Sequence, residues 1–107
     1  MFENVHHIAI IGTEYIKTKE FYVDKLGFEV TSEHNRPEKN DIIINVKQGN
    51  LVLEIFIKEA ALLRPKIPSP EYSGLRHLAF KVDDVEAVLK KFDELDIPHE
   101  ELLSLIH

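Results

Sequence analysis

The sequence predicts an α+β fold built from paired βαβββ modules, with the second module incomplete toward its C-terminal end. Three observations predict it. Hydrophobic periodicity over residues 5–57 spells a strand, a helix and then three strands. A stretch carrying Pro65, Pro68 and Pro70 interrupts regular structure after them. Beyond it the opening pattern returns, His7-Ile8-Ala9-Ile10 being matched by His77-Leu78-Ala79-Phe80 at an offset of 70.

Residues 5–11 are rich in β-branched side chains and read as a strand, with His7, Ala9 and Ile11 on one face and His6, Ile8 and Ile10 on the other. Gly12 and Thr13 break the run, and Thr13 is the expected N-cap of a helix over residues 14–25. Tyr15, Phe21, Tyr22 and Leu26 are its apolar positions, and Gly27 suits its end. Residues 28–33 alternate as a second strand, and the polar residues 34–41 read as a turn or hairpin connection. Residues 42–46 form the third strand. Gln48-Gly49-Asn50 signals a tight turn, and residues 51–57 form the fourth strand.

In the second copy residues 75–82 read as a strand. Asp83 and Asp84 offer N-caps, and Val85, Val88, Leu89, Phe92 and Leu95 make a helical stripe. The repeat offset also sets Tyr15 over Val85 and Tyr22 over Phe92. Ile97-Pro98 ends this helix, and residues 100–106 supply one further strand at most. The expected organisation is a single domain over residues 1–107: module one at 1–58, a linker at 59–73 and a partial module two at 74–107.

Composition narrows the function classes. Hydrophobic residues make up 44% and charged residues 30%, the balance of a soluble globular chain. No apolar run is long enough to span a bilayer, and no secretion signal opens the chain. With no cysteine there are no disulfides and no thiolate ligands, which fits the cytoplasm. A formal net charge of −6, with Lys and Arg dispersed, argues against nucleic acid and membrane surfaces as partners.

Two repeats related by a pseudo-twofold axis bring His7 and His77 to equivalent positions, where both can reach one metal ion. Glu54 is the natural carboxylate complement. It stands mid-strand between apolar neighbours, with Val52 and Phe56 on its own face, so an ionised Glu54 reads as needing a partner. A lone strand His is more often structural, and a strand Glu more often faces water; the repeat-related pair together with Glu54 sets the metal reading beside that ordinary one. His6 points to the opposite face, and His34, His99 and His107 fall in turns or near the end, so none of these is a candidate ligand.

These motifs resemble the vicinal oxygen chelate superfamily. The chain carries His7-Ile8-Ala9-Ile10, Phe21-Tyr22, Leu26-Gly27-Phe28 and Leu53-Glu54-Ile55-Phe56, and its second module opens Gly74-Leu75-Arg76-His77-Leu78-Ala79-Phe80-Lys81-Val82-Asp83-Asp84. Among members it looks most like the small bacterial glyoxalase I-like proteins. The resemblance implies curved mixed sheets around one site, and a divalent metal (Zn, Ni, Mn, Co or Fe) held by two His and two Glu. His7, Glu54 and His77 match three of those ligands, and no Pro-Asp-Gly-x-x-x-Glu type segment supplies the fourth. In glyoxalase I the metal stabilises an enediolate while a carboxylate at the site, here Glu54, moves a proton between adjacent carbons. The resemblance thus implies a metal-dependent lyase or isomerase acting on a small oxygenated substrate such as a hemithioacetal, with a thiol cosubstrate and a homodimer. With three of four ligands, weak metal binding and little turnover are expected. The alternatives are a non-catalytic antibiotic-binding protein of the bleomycin-resistance type, a related transferase or ring-cleaving dioxygenase, and an inactive incomplete product.

Overall fold

The computed structural model describes residues 1–66 and 69–99, and its contacts divide the chain into two units, Met1–Arg64 and Pro65–His107. In the first unit the chain forms β1 (Ile8–Gly12), a helical segment, β2 (Glu29–Arg36), β3 (Asp41–Gln48) and β4 (Leu51–Ile57). The four strands make one curved, open sheet in the order β1-β4-β3-β2. β1 runs parallel to β4, and the other two pairings are antiparallel. This is the βαβββ module expected from the sequence.

Strand alternation carries one apolar row into the core and leaves the other open. Ile44, Val46, Leu53, Ile55 and Ile57 are buried with Phe28, and the helical segment closes over them through Tyr15, Tyr22, Val23 and Leu26. Ile8 and Ile10 of β1 pack on this core, while Ala9 and Ile11 are exposed on the other side, as the sequence predicts. The helix begins one residue later than expected. Its N-cap is Glu14 rather than Thr13, and no side chain caps it. It runs as α1 (Tyr15–Lys19) and then widens to a π-helical turn over Glu20–Lys25. Leu26 donates its N–H to the Phe21 carbonyl at 2.9 Å, an i→i−5 bond. Gly27 ends the segment at φ +78°, a left-handed conformation that disfavours any side chain. A clip holds α1 to β2: the Tyr15 hydroxyl donates to Glu33 Oε1 at 2.7 Å, and Lys19 Nζ lies 3.2 Å from the same oxygen. The bond from Tyr15 holds the Glu33 carboxyl below its ordinary pKa.

Two strands run longer than the sequence pattern suggests. Residues 34–36, read as a turn, continue β2 because each still meets a partner on β3: His34 with Ile43, Asn35 with Ile42, and Arg36 with Asp41. Only a short 3-10 turn (Pro37–Lys39) and Asn40, at φ +53°, remain to reverse the chain. The β3–β4 hairpin closes across Gln48 and Leu51, with Gly49 at φ +59° in the first central position of the turn.

One charge is buried in this unit. Asp41 is 4% exposed. Arg36 grips it through two parallel bonds, Nε to Oδ1 at 2.7 Å and one Nη to Oδ2 at 2.6 Å. Lys58 Nζ donates to Oδ2 at 2.7 Å. These bonds, Arg36 first, hold the carboxyl well below the usual carboxylate range.

In the second unit α2 (Val85–Glu94) forms where the stripe predicts it, with Asp84 Oδ1 accepting from the Ala87 N–H at 3.1 Å. Its end is built by Asp96 at φ +56°, while the Ile97 N–H reaches back to the Phe92 carbonyl at 2.8 Å. The expected strand over residues 75–82 is not formed. Those residues carry no ladder hydrogen bonds, and Leu75, Leu78, Phe80 and Val82 are exposed. Periodicity marks a segment able to be a strand, but the strand itself needs a partner, and among the described residues of this unit there is none. The further strand expected over residues 100–106 lies outside the described residues.

Two tests follow from this packing. Ile44 is 0% exposed and Ile11 is 62% exposed. Ile44→Ala should cost about 2–5 kcal/mol of stability, and Ile11→Ala should stay within about 0.5 kcal/mol. Similar losses in urea melts would contradict the assignment of faces. Asp41, whose pKa is lowered on folding, stabilises the fold fully above its unfolded value near ~3.9 and progressively less below it. Thermal melts between acid and neutral pH should therefore show Asp41→Asn well below wild type at neutrality. The gap should close as pH falls under about 4; a gap that does not change with pH would count against the account.

Candidate metal centre

The register of β1 on β4 decides which side chains meet. Ile8 pairs with Leu53 and Ala9 with Glu54. Ala9 and Glu54 share the sheet face opposite the core, and His7, just before β1, reaches the same carboxylate. His7 Nε2 lies 3.9 Å from Glu54 Oε1, with the side chains 42% and 30% exposed. Ala9, directly across from Glu54, takes up little room above the carboxylate.

Glu54 therefore differs from the sequence expectation in one respect. The sequence sets it on an apolar face with Val52 and Phe56, yet the neighbouring strands bring Asn45 and Ser32 to that face, and the Glu54 side chain is 30% exposed. The partner it needs comes from geometry across the strands. Desolvation is not what demands it.

The neighbouring His6 also differs from expectation. Its Nδ1 is 2.9 Å from His7 Nδ1, and the two rings meet edge to face with centroids 5.1 Å apart. This contact occupies the inner nitrogen of His7 and leaves Nε2 toward Glu54, the arrangement that steers a ligating imidazole. Two ligand bonds of about 2.0–2.2 Å at tetrahedral angles set donor atoms roughly 3.4 Å apart. The observed 3.9 Å is within a small side-chain adjustment of that spacing. An imidazole nitrogen and a carboxylate oxygen are donors that zinc, nickel, cobalt, manganese and iron accept. The pair fits a divalent ion, although within this unit no third His, Asp or Glu among the described residues joins it.

His77 belongs to the second unit, in the extended run 75–82, and is exposed. Beside it Arg76 is held by Glu71 at 2.7 Å. His34, expected in a turn, stands in β2 opposite Ile43 and so on the same face as Glu54. His99 bonds Asp93 at 2.7 Å beyond the end of α2. His107 lies outside the described residues.

The rest of the open face is arranged in rows set by strand register. Beside Glu54 stands Asn45 and then Ser32, with Asn45 Nδ2 donating to Ser32 Oγ at 3.0 Å. The next row holds Ile11, Phe56, Ile43 and His34. Above Phe56 lies the Arg36 guanidinium, 5.4 Å from the ring centroid, with Lys58 Nζ at 5.9 Å. Sequence reasoning missed Arg36 and Lys58. The alternation Val52, Glu54, Phe56, Lys58 carried a signal for the second; Arg36 was hidden in a segment read as a turn. A groove of about 840 Å³ runs beside β1, lined by Thr13, Phe21 and Leu62 among others, and includes neither His7 nor Glu54. The candidate centre is a place on an open face, not a closed pocket.

Comparison with known proteins places the chain. The family model for the Glyoxalase/Bleomycin resistance protein/Dioxygenase superfamily matches residues 4–102. The uncharacterized protein YaeR of Escherichia coli (strain K12) is 42% identical over 100 residues, 89% of this chain and 73% of YaeR. The crystal structure of a glyoxalase family protein from Enterococcus faecalis superposes with a TM-score of 0.81 at 50% identity, over 89% of this chain and 74% of that one. The trypanothione-dependent glyoxalase I of Leishmania major shares the fold at a TM-score of 0.69 and 18% identity, over 94% of this chain and 73% of that one. A family match over nearly the whole chain, with the βαβββ sheet beneath it, shows that this protein belongs to the glyoxalase/bleomycin resistance/dioxygenase superfamily.

Proposed function

We propose that the chain is a divalent-metal-dependent lyase or isomerase of the glyoxalase I type, acting on a small oxygenated substrate such as a hemithioacetal. His7, Glu54 and His77 are the proposed ligands and Glu54 the proposed base. The observation that carries the reading is the approach of His7 Nε2 to Glu54 Oε1 at 3.9 Å on the open face, with His6 behind His7. Superfamily membership supports it.

A divalent metal at this place would supply Lewis-acid polarisation of adjacent substrate oxygens. The chain's own groups account for the rest. His7 and Glu54 bind and orient. Glu54 has a second carboxylate oxygen to hold a proton between two neighbouring carbons, the task of a general base. Ala9 leaves space over that carboxylate, and Ile43 offers the carbon skeleton an apolar side chain in the next row.

The test is titration of the purified chain with nickel and zinc by calorimetry, followed by assay with methylglyoxal and several thiols. Glu54→Gln should weaken metal binding and lower any turnover by about 10²–10⁴-fold. His6→Phe, which removes the Nδ1 contact but keeps a ring, should weaken metal binding by about tenfold or more. Failure of the wild-type chain to bind either metal would sink the reading and leave the binding-only role of the bleomycin-resistance type.

A further inference from the structure

Beyond the candidate centre, the open face carries two cationic side chains in fixed places, with Glu38 and Glu54 acting on Arg36 from farther off. Asp41 needs one counter-cation and has two, Arg36 and Lys58. Within the trio itself two cationic side chains face one carboxylate. Arg36 commits Nε and one Nη to Asp41, which leaves its other Nη free of that carboxylate. Lys58 gives Asp41 one bond from an ammonium with three donors. Both cations remain reachable, with side chains 25% and 38% exposed, while the carboxylate between them is at 0%. Asp41 thus holds two donor groups in position without covering them.

Their placement relative to Glu54 is set by β4. Glu54, Phe56 and Lys58 lie on one face two residues apart, so Phe56 is about 7 Å and Lys58 about 13 Å along the strand from Glu54. Arg36 lies over Phe56, and Glu54 acts electrostatically on it from the neighbouring row. A ligand with oxygens at Glu54 would meet the cations in the next row, where they lie over the Phe56 ring.

We propose that Arg36 and Lys58 form a subsite for an oxyanion, a carboxylate or a phosphate, carried by the substrate at the end remote from the His7–Glu54 centre. The substrate class is then a small oxygenated molecule with an anionic tail, and Arg36 and Lys58 are its specificity-determining residues. That this face receives substrate rests on the function proposed above; the anion subsite itself needs no metal.

The metal-free chain is titrated with acetate, inorganic phosphate and neutral acetamide at constant ionic strength. The Arg36 Nε–H and Lys58 Nζ resonances report binding. Saturable shifts with one or both anions and none with acetamide are expected, and the stronger anion identifies the tail. Lys58→Gln keeps the paired bonds between Arg36 and Asp41 and should weaken that anion by about tenfold, whereas Lys58→Arg should retain most of the affinity. Absence of saturable shifts, or equal affinity in Lys58→Gln, overturns the proposal. Nickel titration of the same wild-type sample separates the two readings. Anion binding without nickel binding removes the metal reading and upholds this one, and nickel binding without an anion response does the reverse.

Discussion

The parallel register of β1 on β4 is the constraint on which the site depends. It aligns Ala9 with Glu54 and so sets His7 diagonally beside the carboxylate. A shift of one residue would turn Ile8 and Ile10 out of the core and His7 away from Glu54, because side chains alternate across a strand. Packing and chemistry are thus specified together. The core row Leu53, Ile55 and Ile57 cannot be buried without presenting Val52, Glu54 and Phe56 to the other face.

That other face is polar in a graded way. At one end stand the histidines and Glu54, in the middle Phe56 and Ile43, and at the far end the Arg36–Asp41–Lys58 trio. A buried carboxylate in an otherwise apolar unit is costly unless it is paired and hydrogen-bonded. Asp41 is doubly satisfied by cations from the strand ends on either side. The same contacts that allow its burial hold Arg36 over Phe56. Structural necessity and a preformed face therefore share the same atoms.

Much of this was legible in the sequence. The order of strands and helix in the first unit followed from periodicity, and the end at Gly27 and the turn at Gly49 followed from glycine chemistry. His7 was singled out by the repeat and Glu54 by its apolar setting, and the two side chains stand 3.9 Å apart. What escaped were facts decided by contacts distant in sequence. β2 runs on through residues 34–36 because β3 lies beside it, and a polar segment considered alone reads as a turn. Glu54 looked set on an apolar face because Val52 and Phe56 share it, yet β3 and β2 add Asn45 and Ser32 there. His6 alternates away from His7 on paper, but it stands before the first residue of β1, where the ladder does not hold its direction, and its ring meets that of His7. In the second unit Leu75 to Val82 had the composition of a strand without a described partner to make it one.

The central claim is that His7 and Glu54 act on one ion. X-ray absorption fine structure of the nickel-loaded chain tests it most directly, by counting imidazole and oxygen scatterers in the wild type, in His7→Ala and in Glu54→Ala. The account predicts that the first change removes one imidazole, and that the second removes a carboxylate oxygen and leaves the imidazole count as it was. Spectra that are the same in all three proteins would place the ion elsewhere and contradict the account.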